Sequence, residues 1–362
     1  MRLLAFLAAC AAGGGVAAHA QVLRVEVSDS VRGGGIVGAL VTAIRPANGV
    51  RSDALTNDRG VATLRLPSAG QWSVTVRRIG VAPRALNDVT VDAGATTSIM
   101  IRMPEIRQLL PTVRVRASAC GSAPQGTDRT SVLWEQITLA LRASVLSRGD
   151  STGMIALRFT EQIRELSPSL EARSRQVVRS GIGVGRIYSA ADPDTLAEHG
   201  YVVEEANGAR QYFAPDEVVF LSDAFERTHC FDTPDVDADP AFAELRFRPA
   251  ARGRTSDVEG TALVDTLTGE LRRIDFRYVM AARRFPVAAK YAGGTVELRR
   301  LSNGRWIVSN WAIRMPVFRI SVLTANPVLS GYREVGGTVT PVSEMESPAP
   351  LTRDGDPAVS RQ

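Results

Sequence analysis

The chain has 362 residues, of which 44% are hydrophobic and 22% charged, a composition that suits packed domains and excludes a collagen-like or low-complexity polymer. Its formal net charge is +5, but the basic residues are almost all arginine, interspersed with acidic ones, and Lys290 is the single lysine. Nucleic-acid binders concentrate positive charge on one face or helix, so no nucleic-acid partner is expected.

Residues 1–20 start with Arg2, continue through the apolar run 3–12 and end in small residues, closing on Ala18-His19-Ala20. That order predicts a secretory signal peptide cleaved before Gln21. An alternative, lipidation at Cys10 after Leu7-Ala8-Ala9, would leave a hydrophobic region of roughly eight residues, short against the usual ~7–15. Simple export is therefore expected, to the periplasm or the outer membrane. No segment reaches the roughly 20 apolar residues that cross a bilayer, so a spanning helix is not expected.

Cleavage leaves two cysteines, Cys120 and Cys230, and in an oxidising compartment such a pair is a disulfide candidate. The sequence does not bring them together, and two free thiols remain the alternative.

Residues 21–104 carry period-two stretches, Leu23-Arg24-Val25-Glu26-Val27, Ala62-Thr63-Leu64-Arg65-Leu66, Trp72-Ser73-Val74-Thr75-Val76 and Ser98-Ile99-Met100-Ile101, separated by turn residues. Short, regularly spaced alternation predicts an antiparallel β-sandwich. The order Val27-x-Asp29, Gly38-Ala39, Thr56-Asn57-Asp58-Arg59-Gly60, Leu66-Pro67, Gly70-x-Trp72-x-Val74-x-Val76, Ile79-Gly80 and Val91-x-x-Gly94 resembles the carboxypeptidase regulatory-like domain. The resemblance implies an immunoglobulin-like or prealbumin-like sandwich, grouped with carbohydrate-binding-like folds, often preceding outer-membrane receptors in bacteria. It implies no peptidase chemistry. The barrel of such a receptor is not expected here, because the remaining chain lacks the many ten-residue alternating strands that a barrel needs.

Residues 105–130 read as a linker with one strand, Thr112-Val113-Arg114-Val115-Arg116. Residues 131–148 predict the one long helix: Ser131 is placed to cap it, Glu135 to favour the dipole, and Leu133, Ile137, Ala140, Leu141 and Val145 to form one apolar face. From 154 to 342 the chain is strand-rich, with hairpins around Asp265-Thr266-Leu267-Thr268-Gly269 and Leu301-Ser302-Asn303-Gly304, the second expected to be a type I′ Asn-Gly turn. The expected fold is mainly β: the sandwich, then an α+β domain over 131–342 with one long helix and a curved antiparallel sheet. Glu259-Gly260-Thr261 to Asp265 with Thr268-Gly269-Glu270-Leu271 faintly resembles the half-barrel of periplasmic lipoprotein-carrier proteins, which implies an apolar ligand cavity. Residues 343–362, rich in proline and charge, predict a disordered tail.

Candidate chemistry is sparse. Asp235-x-Asp237-x-Asp239 opens like a calcium loop, but Pro240 and Arg246 stand where that loop needs glycine and glutamate, and His229 with Cys230 lacks further zinc ligands. Gly181-Ile182-Gly183-Val184-Gly185 is followed by Arg186 rather than the glycine of a dinucleotide loop, and a strand bulge or bend is expected there. Glu259 with Asp265 or Glu270 could be drawn as an acid and base, but spacing alone sets no pKa. No catalytic residue, cofactor or metal is assigned. Trp306 and Trp311, five apart on one predicted strand, point to opposite faces of a regular strand, so at least one is expected on the surface as a ligand contact, whereas Trp72 is expected in the core. The sequence thus predicts an exported, non-enzymatic binding protein with an envelope protein, glycan or lipid as partner. The alternatives are a lipid or lipoprotein carrier, an accessory to a hydrolase or outer-membrane receptor, and a cryptic hydrolase.

Overall fold

The computed structural model describes residues 21–79, 81–104, 119–120, 129–149, 156–183, 191–204, 210–234, 236–251, 255–279, 291–321, 323 and 327–342. The expected signal peptide, Cys10, the strand at 112–116, Asp235 and the tail from 343 lie outside the described residues.

Seven strands come first: β1 (Gln21–Asp29), β2 (Leu40–Ile44), β3 (Arg51–Leu55), β4 (Val61–Leu66), β5 (Gly70–Arg78), β6 (Val81–Val91) and β7 (Thr96–Met103). They form a three-stranded sheet, β4-β1-β7, and a four-stranded sheet, β3-β2-β5-β6. The pairing is antiparallel except between β1 and β7, which run parallel. Alternation decides the packing: Leu23, Val25 and Val27 of β1, Leu64 and Leu66 of β4, and Trp72, Val74 and Val76 of β5 share one core cluster. Each large apolar side chain so buried contributes about 1.5–3 kcal/mol. The buried Trp72 indole N–H donates to the Ser68 carbonyl at 3.3 Å, as a core tryptophan requires. In the turn before β4 the Asn57 side chain accepts from the Arg59 and Val61 amides while Gly60 takes φ +77°, so both residues of the motif have a local cause. Thr56, just before it, donates to the Ile36 carbonyl and accepts from the Ala39 amide, fixing the loop ahead of β2.

The second half contains β8 (Ala119–Cys120), α1 (Arg129–Gly149), β9 (Leu157–Leu166), β10 (Ala172–Gly183), α2 (Pro193–His199), β11 (Val202–Glu204), β12 (Arg210–Tyr212), α3 (Glu217–Phe220), α4 (Asp223–Thr228), β13 (His229–Asp232), β14 (Phe242–Pro249), β15 (Asp257–Asp265), β16 (Leu271–Val279), β17 (Gly293–Arg300), β18 (Trp306–Ile320) and β19 (Pro327–Pro341). Ten of these strands make one antiparallel sheet in the order β10-β9-β19-β18-β17-β16-β15-β14-β13-β8, with β11 and β12 paired apart from it. From β13 to β19 the sheet is a meander, and the earlier hairpin β9–β10 joins beyond β19.

Helix α1 starts at Arg129, so Ser131 lies inside it and does not cap it, and Glu135 stands beyond the first turn. Of the five residues expected on one face, Leu133, Ile137, Ala140 and Leu141 are buried and Val145 is half-buried. Trp134, Leu139, Ala143 and Ser144 are buried as well, so burial runs around the helix. The cause is its position: α1 packs against β14, β15, β16 and β18 of the large sheet and also against β3 of the sandwich. Leu55 and Ile79 of the sandwich reach the cluster that holds α1, and Arg77 lies 3.7 Å from Glu135. The halves also meet backbone to backbone. A Cβ on Gly304 would stand 2.6 Å from the Gly38 nitrogen, and one on Gly38 would stand 2.8 Å from the Gly304 oxygen.

The β15–β16 and β17–β18 hairpins form where expected. The second does not use a type I′ turn, which requires positive φ at both central residues. Only Gly304 is left-handed, at +82°, while Leu301 bonds across to Arg305 and Gly304 back to Leu301, which gives a type I turn with a glycine bulge. Asn303 serves by accepting from the Arg305 amide instead.

Candidate functional site

The two faces of the large sheet differ in kind. On the inner face Phe247, Val258, Ala262, Val264, Ile274 and Phe276 join residues of all four helices in one cluster. The volume that a half-barrel would leave for an apolar ligand is thus filled by α1, α3, α4 and aromatic side chains. Phe220, Phe225 and Phe247 contact one another there with ring centroids 4.8–5.8 Å apart.

Trp306 and Trp311 both belong to this inner cluster, 1% and 6% exposed. The expectation that one of them faces outward fails because β18 is not regular: Glu297 pairs with Asn310 and Leu298 with Val308, which leaves Ser309 unpaired as a bulge. One extra residue restores the parity, so side chains five apart point the same way. Neither tryptophan offers a surface platform.

The outer face is mostly polar, apart from the buried Tyr332 and Leu166, and its register aligns charges in rows. Adjacent partners run Arg175, Arg164, Glu334, Arg314, Gly293, Arg277 and Glu259 across seven strands from β10 to β15. At the usual strand spacing the row spans roughly 29 Å. Glu334, only 3% exposed, sits between two guanidinium groups: Arg164 Nε donates to it at 2.9 Å, and Arg314 donates through Nε at 3.0 Å and Nη2 at 2.7 Å. A carboxylate with so little water is tolerated because these charge-assisted bonds replace its hydration. Arg277 pairs with Glu259, and Arg273 donates to Asp275 at 2.8 Å.

The neighbouring row reads Gln162, Gly336, Ala312, Thr295, Asp275 and Thr261. Its centre is small, and Gly293 interrupts the charged row beside it, so the long side chains on either side enclose a hollow of about 410 Å³. Arg273, Asp275, Arg277 and Tyr291 line one side of it, Arg314 and Glu334 the other, with Glu297 also in the lining. Thr295 Oγ1 is buried there without a hydrogen-bond partner. A second hollow of about 550 Å³, lined by Asp232, Arg246, Arg248, Glu259 and Thr261, shares Asp275, Phe276 and Arg277 with the first. These residues escape a motif search because they come from seven strands, β13 to β19, and are brought together by register.

The other candidates have structural roles. His229 is buried and stacked 3.8 Å from Phe225, with Nδ1 3.0 Å from the Phe225 carbonyl and Nε2 3.1 Å from the Val258 carbonyl, so both ring nitrogens are engaged. Asp237 pairs with Arg129, and Asp239 accepts from the Ala241 amide. Glu270 is held by Arg300 at 2.6 Å and Arg272 at 3.1 Å, and Asp265 caps its own turn by accepting from Leu267 and Thr268. Asp265 and Glu270 thus share Arg272 while Glu259 pairs with Arg277, so each of the three serves an ion pair or a turn. Gly181 and Gly183 lie in register in β10 beside the Phe159 ring, and the bulges of that strand fall earlier, at 172–174 and 177–179.

Titration is perturbed at scattered points. Burial pushes the Tyr212 hydroxyl up to about 12. Burial, then the Asp223 charge, raises Glu226 against the pull of Arg142. At Asp265 burial opposes ionisation, but the amides of Thr268 and Leu267 and the Thr268 and Arg272 side chains outweigh it and hold the carboxyl below its ordinary value. Burial lowers Arg142, which feels the Glu226 charge, so these two perturbed groups are neighbours, whereas Tyr212 and Asp265 have other partners.

Cys120 and Cys230 form a disulfide, directly opposite each other on β8 and β13. It fastens the short strand after the sandwich to the end of the large sheet.

No curated protein matches the chain. Among solved structures, a chain of a type II cohesin–X-dockerin complex from Acetivibrio cellulolyticus is 16% identical, over 37% of this chain and 81% of that one, with a TM-score of 0.20. Fervidolysin from Fervidobacterium pennivorans is 10% identical over 73% of this chain and 30% of its own, with a TM-score of 0.20. A DUF3823 family protein from Bacteroides ovatus is 9% identical over 63% and 90%, with a TM-score of 0.18. Overlaps of that extent do not bear on the site. The sandwich is a different matter: residues 22–104 match the family model of the carboxypeptidase regulatory-like domain.

Proposed function

We propose that the protein is an exported, non-enzymatic binding protein of the bacterial envelope. In this reading residues 21–104 and 131–342 are its two domains, the outer face of the large sheet receives the ligand, and the sandwich supports that sheet through α1. The observation that carries it is the contrast between the faces: the helices fill the inner one, whereas the outer one holds adjoining hollows walled by aligned arginine and carboxylate side chains. Ligand sites combine concavity with a few fixed polar groups in this way. Native mass spectrometry of the mature protein taken from an envelope, beside a denatured control, tests the reading. A retained small-molecule or partner mass supports it, and a single clean mass under conditions that preserve weak complexes counts against it.

A further inference from the structure

Resting on that reading, we propose that the hollow beside Gly293 is a site for a neutral, hydroxyl-rich ring, a saccharide unit. Charge balance comes first. The lining carries three guanidinium groups, Arg273, Arg277 and Arg314, and three carboxylates, Asp275, Glu297 and Glu334, so it attracts neither a net anion nor a net cation. The arginines are already paired, Arg314 with Glu334, Arg273 with Asp275 and Arg277 with Glu259, and an anion would have to displace a carboxylate that is held in place. A hydroxyl group needs no displacement, because it donates to a carboxylate and accepts from the adjacent guanidinium at once.

Two groups on β17 are left for such a ligand. Thr295 Oγ1 is buried without a partner, and Glu297 forms no ion pair among the described residues. They are two apart on one strand, hence on the same face and roughly 7 Å from each other, a separation that one sugar ring bridges with two of its hydroxyls. Buried polar groups are normally satisfied, so an orphaned hydroxyl in a polar hollow marks a place where something else completes the bonding. Tyr291, 39% exposed at the edge of the hollow, supplies an aromatic surface for the C–H side of a ring. The volume, about 410 Å³, falls in the range of small-molecule sites, about 300–1,000 Å³, and the charged walls disfavour an acyl chain.

Saturation-transfer NMR on the full mature chain provides the test, with maltotriose, cellotriose and triacetylchitotriose as neutral probes and trigalacturonate and glucose 6-phosphate as anionic ones. Transfer to at least one neutral trisaccharide and none to the anions is expected. Thr295→Val, which keeps the shape and removes the hydroxyl, and Glu297→Ala should each weaken that binding about tenfold while the melting curve stays that of the parent. If either variant fails to fold, Tyr291→Ala at the rim should give a similar loss. Preference for the anions, or neutral binding that survives every substitution, overturns the proposal. If the neutral probes do not bind while native mass spectrometry still finds another retained molecule, the saccharide assignment falls and the binding-protein reading stands. If both experiments are empty, both fall.

Discussion

Trp306 shows how much one unpaired residue controls. Because the Ser309 bulge turns both tryptophans inward, Trp306→Ala should cost about 3–5 kcal/mol in urea unfolding, as for a large core side chain; a cost within 0.5 kcal/mol would mean that it lies at the surface. Alternation was legible from the sequence and placed Leu23, Val25, Val74 and Trp72 correctly, but a bulge has no signature in Trp306-Ile307-Val308-Ser309-Asn310-Trp311, so parity was lost at the residues meant to contact a ligand. The reverse holds for Asp265. Its pKa is lowered in the fold, so the stability it supplies is complete above its unfolded value near 3.9 and is lost as pH falls from about 4 through the lower folded value. Asp265→Asn should flatten the acid limb of the stability curve in that window, and an unchanged limb would show that the turn does not hold the charge.

At the scale of elements, β10 is the part most exposed to misassociation. It is the end strand of the large sheet, twelve residues long and exposed along most of its length, with Val177 52% exposed. A free edge of that length is a template for pairing with another chain, and β10 counters it with Arg173, Arg175, Arg179 and two bulges. Replacing Arg175 and Arg179 together by valine should therefore convert the protein to higher oligomers in light scattering, while a monodisperse monomer would show that the bulges suffice. The opposite end is closed differently, by β8 and the disulfide. Closing a loop of about 110 residues contributes about 4–5 kcal/mol in the chain-entropy model, so Cys120→Ser with Cys230→Ser should lower the urea midpoint without changing the fold. Full labelling of two thiols in unreduced protein would refute the bond. The candidate pair was readable from the cysteine count and the export signal, but its proximity came from the short β13, the first strand of the meander, pairing with β8 at the end of the sheet, which no local pattern reveals. The single apolar face of α1 was too narrow for a related reason, since the sandwich buries a further side of the helix, and its start moved to Arg129, where Arg129 pairs with Asp237 and Thr130 meets Thr233.

At the scale of the molecule, sandwich and sheet share α1 as a common wall, so the chain should melt in one calorimetric transition. Residues 21–104 expressed alone should expose Leu55 and Ile79 and melt at a lower temperature than the intact chain. Two transitions, one matching the isolated fragment, would show that the halves are independent. The hollow itself was invisible to sequence reading because its lining is assembled by register across strands that stand up to about 60 residues apart.

The contact of Gly38 with Gly304 makes the turn between β17 and β18 a hinge pin. These are the strands that carry Thr295 and Glu297 on one side and Arg314 on the other, so the N-terminal half clamps the frame of the hollow from its far end. A methyl group at position 304 would act as a wedge, prising the halves apart while leaving each core intact, and whatever rigidity the hollow owes to its neighbour would be lost with it.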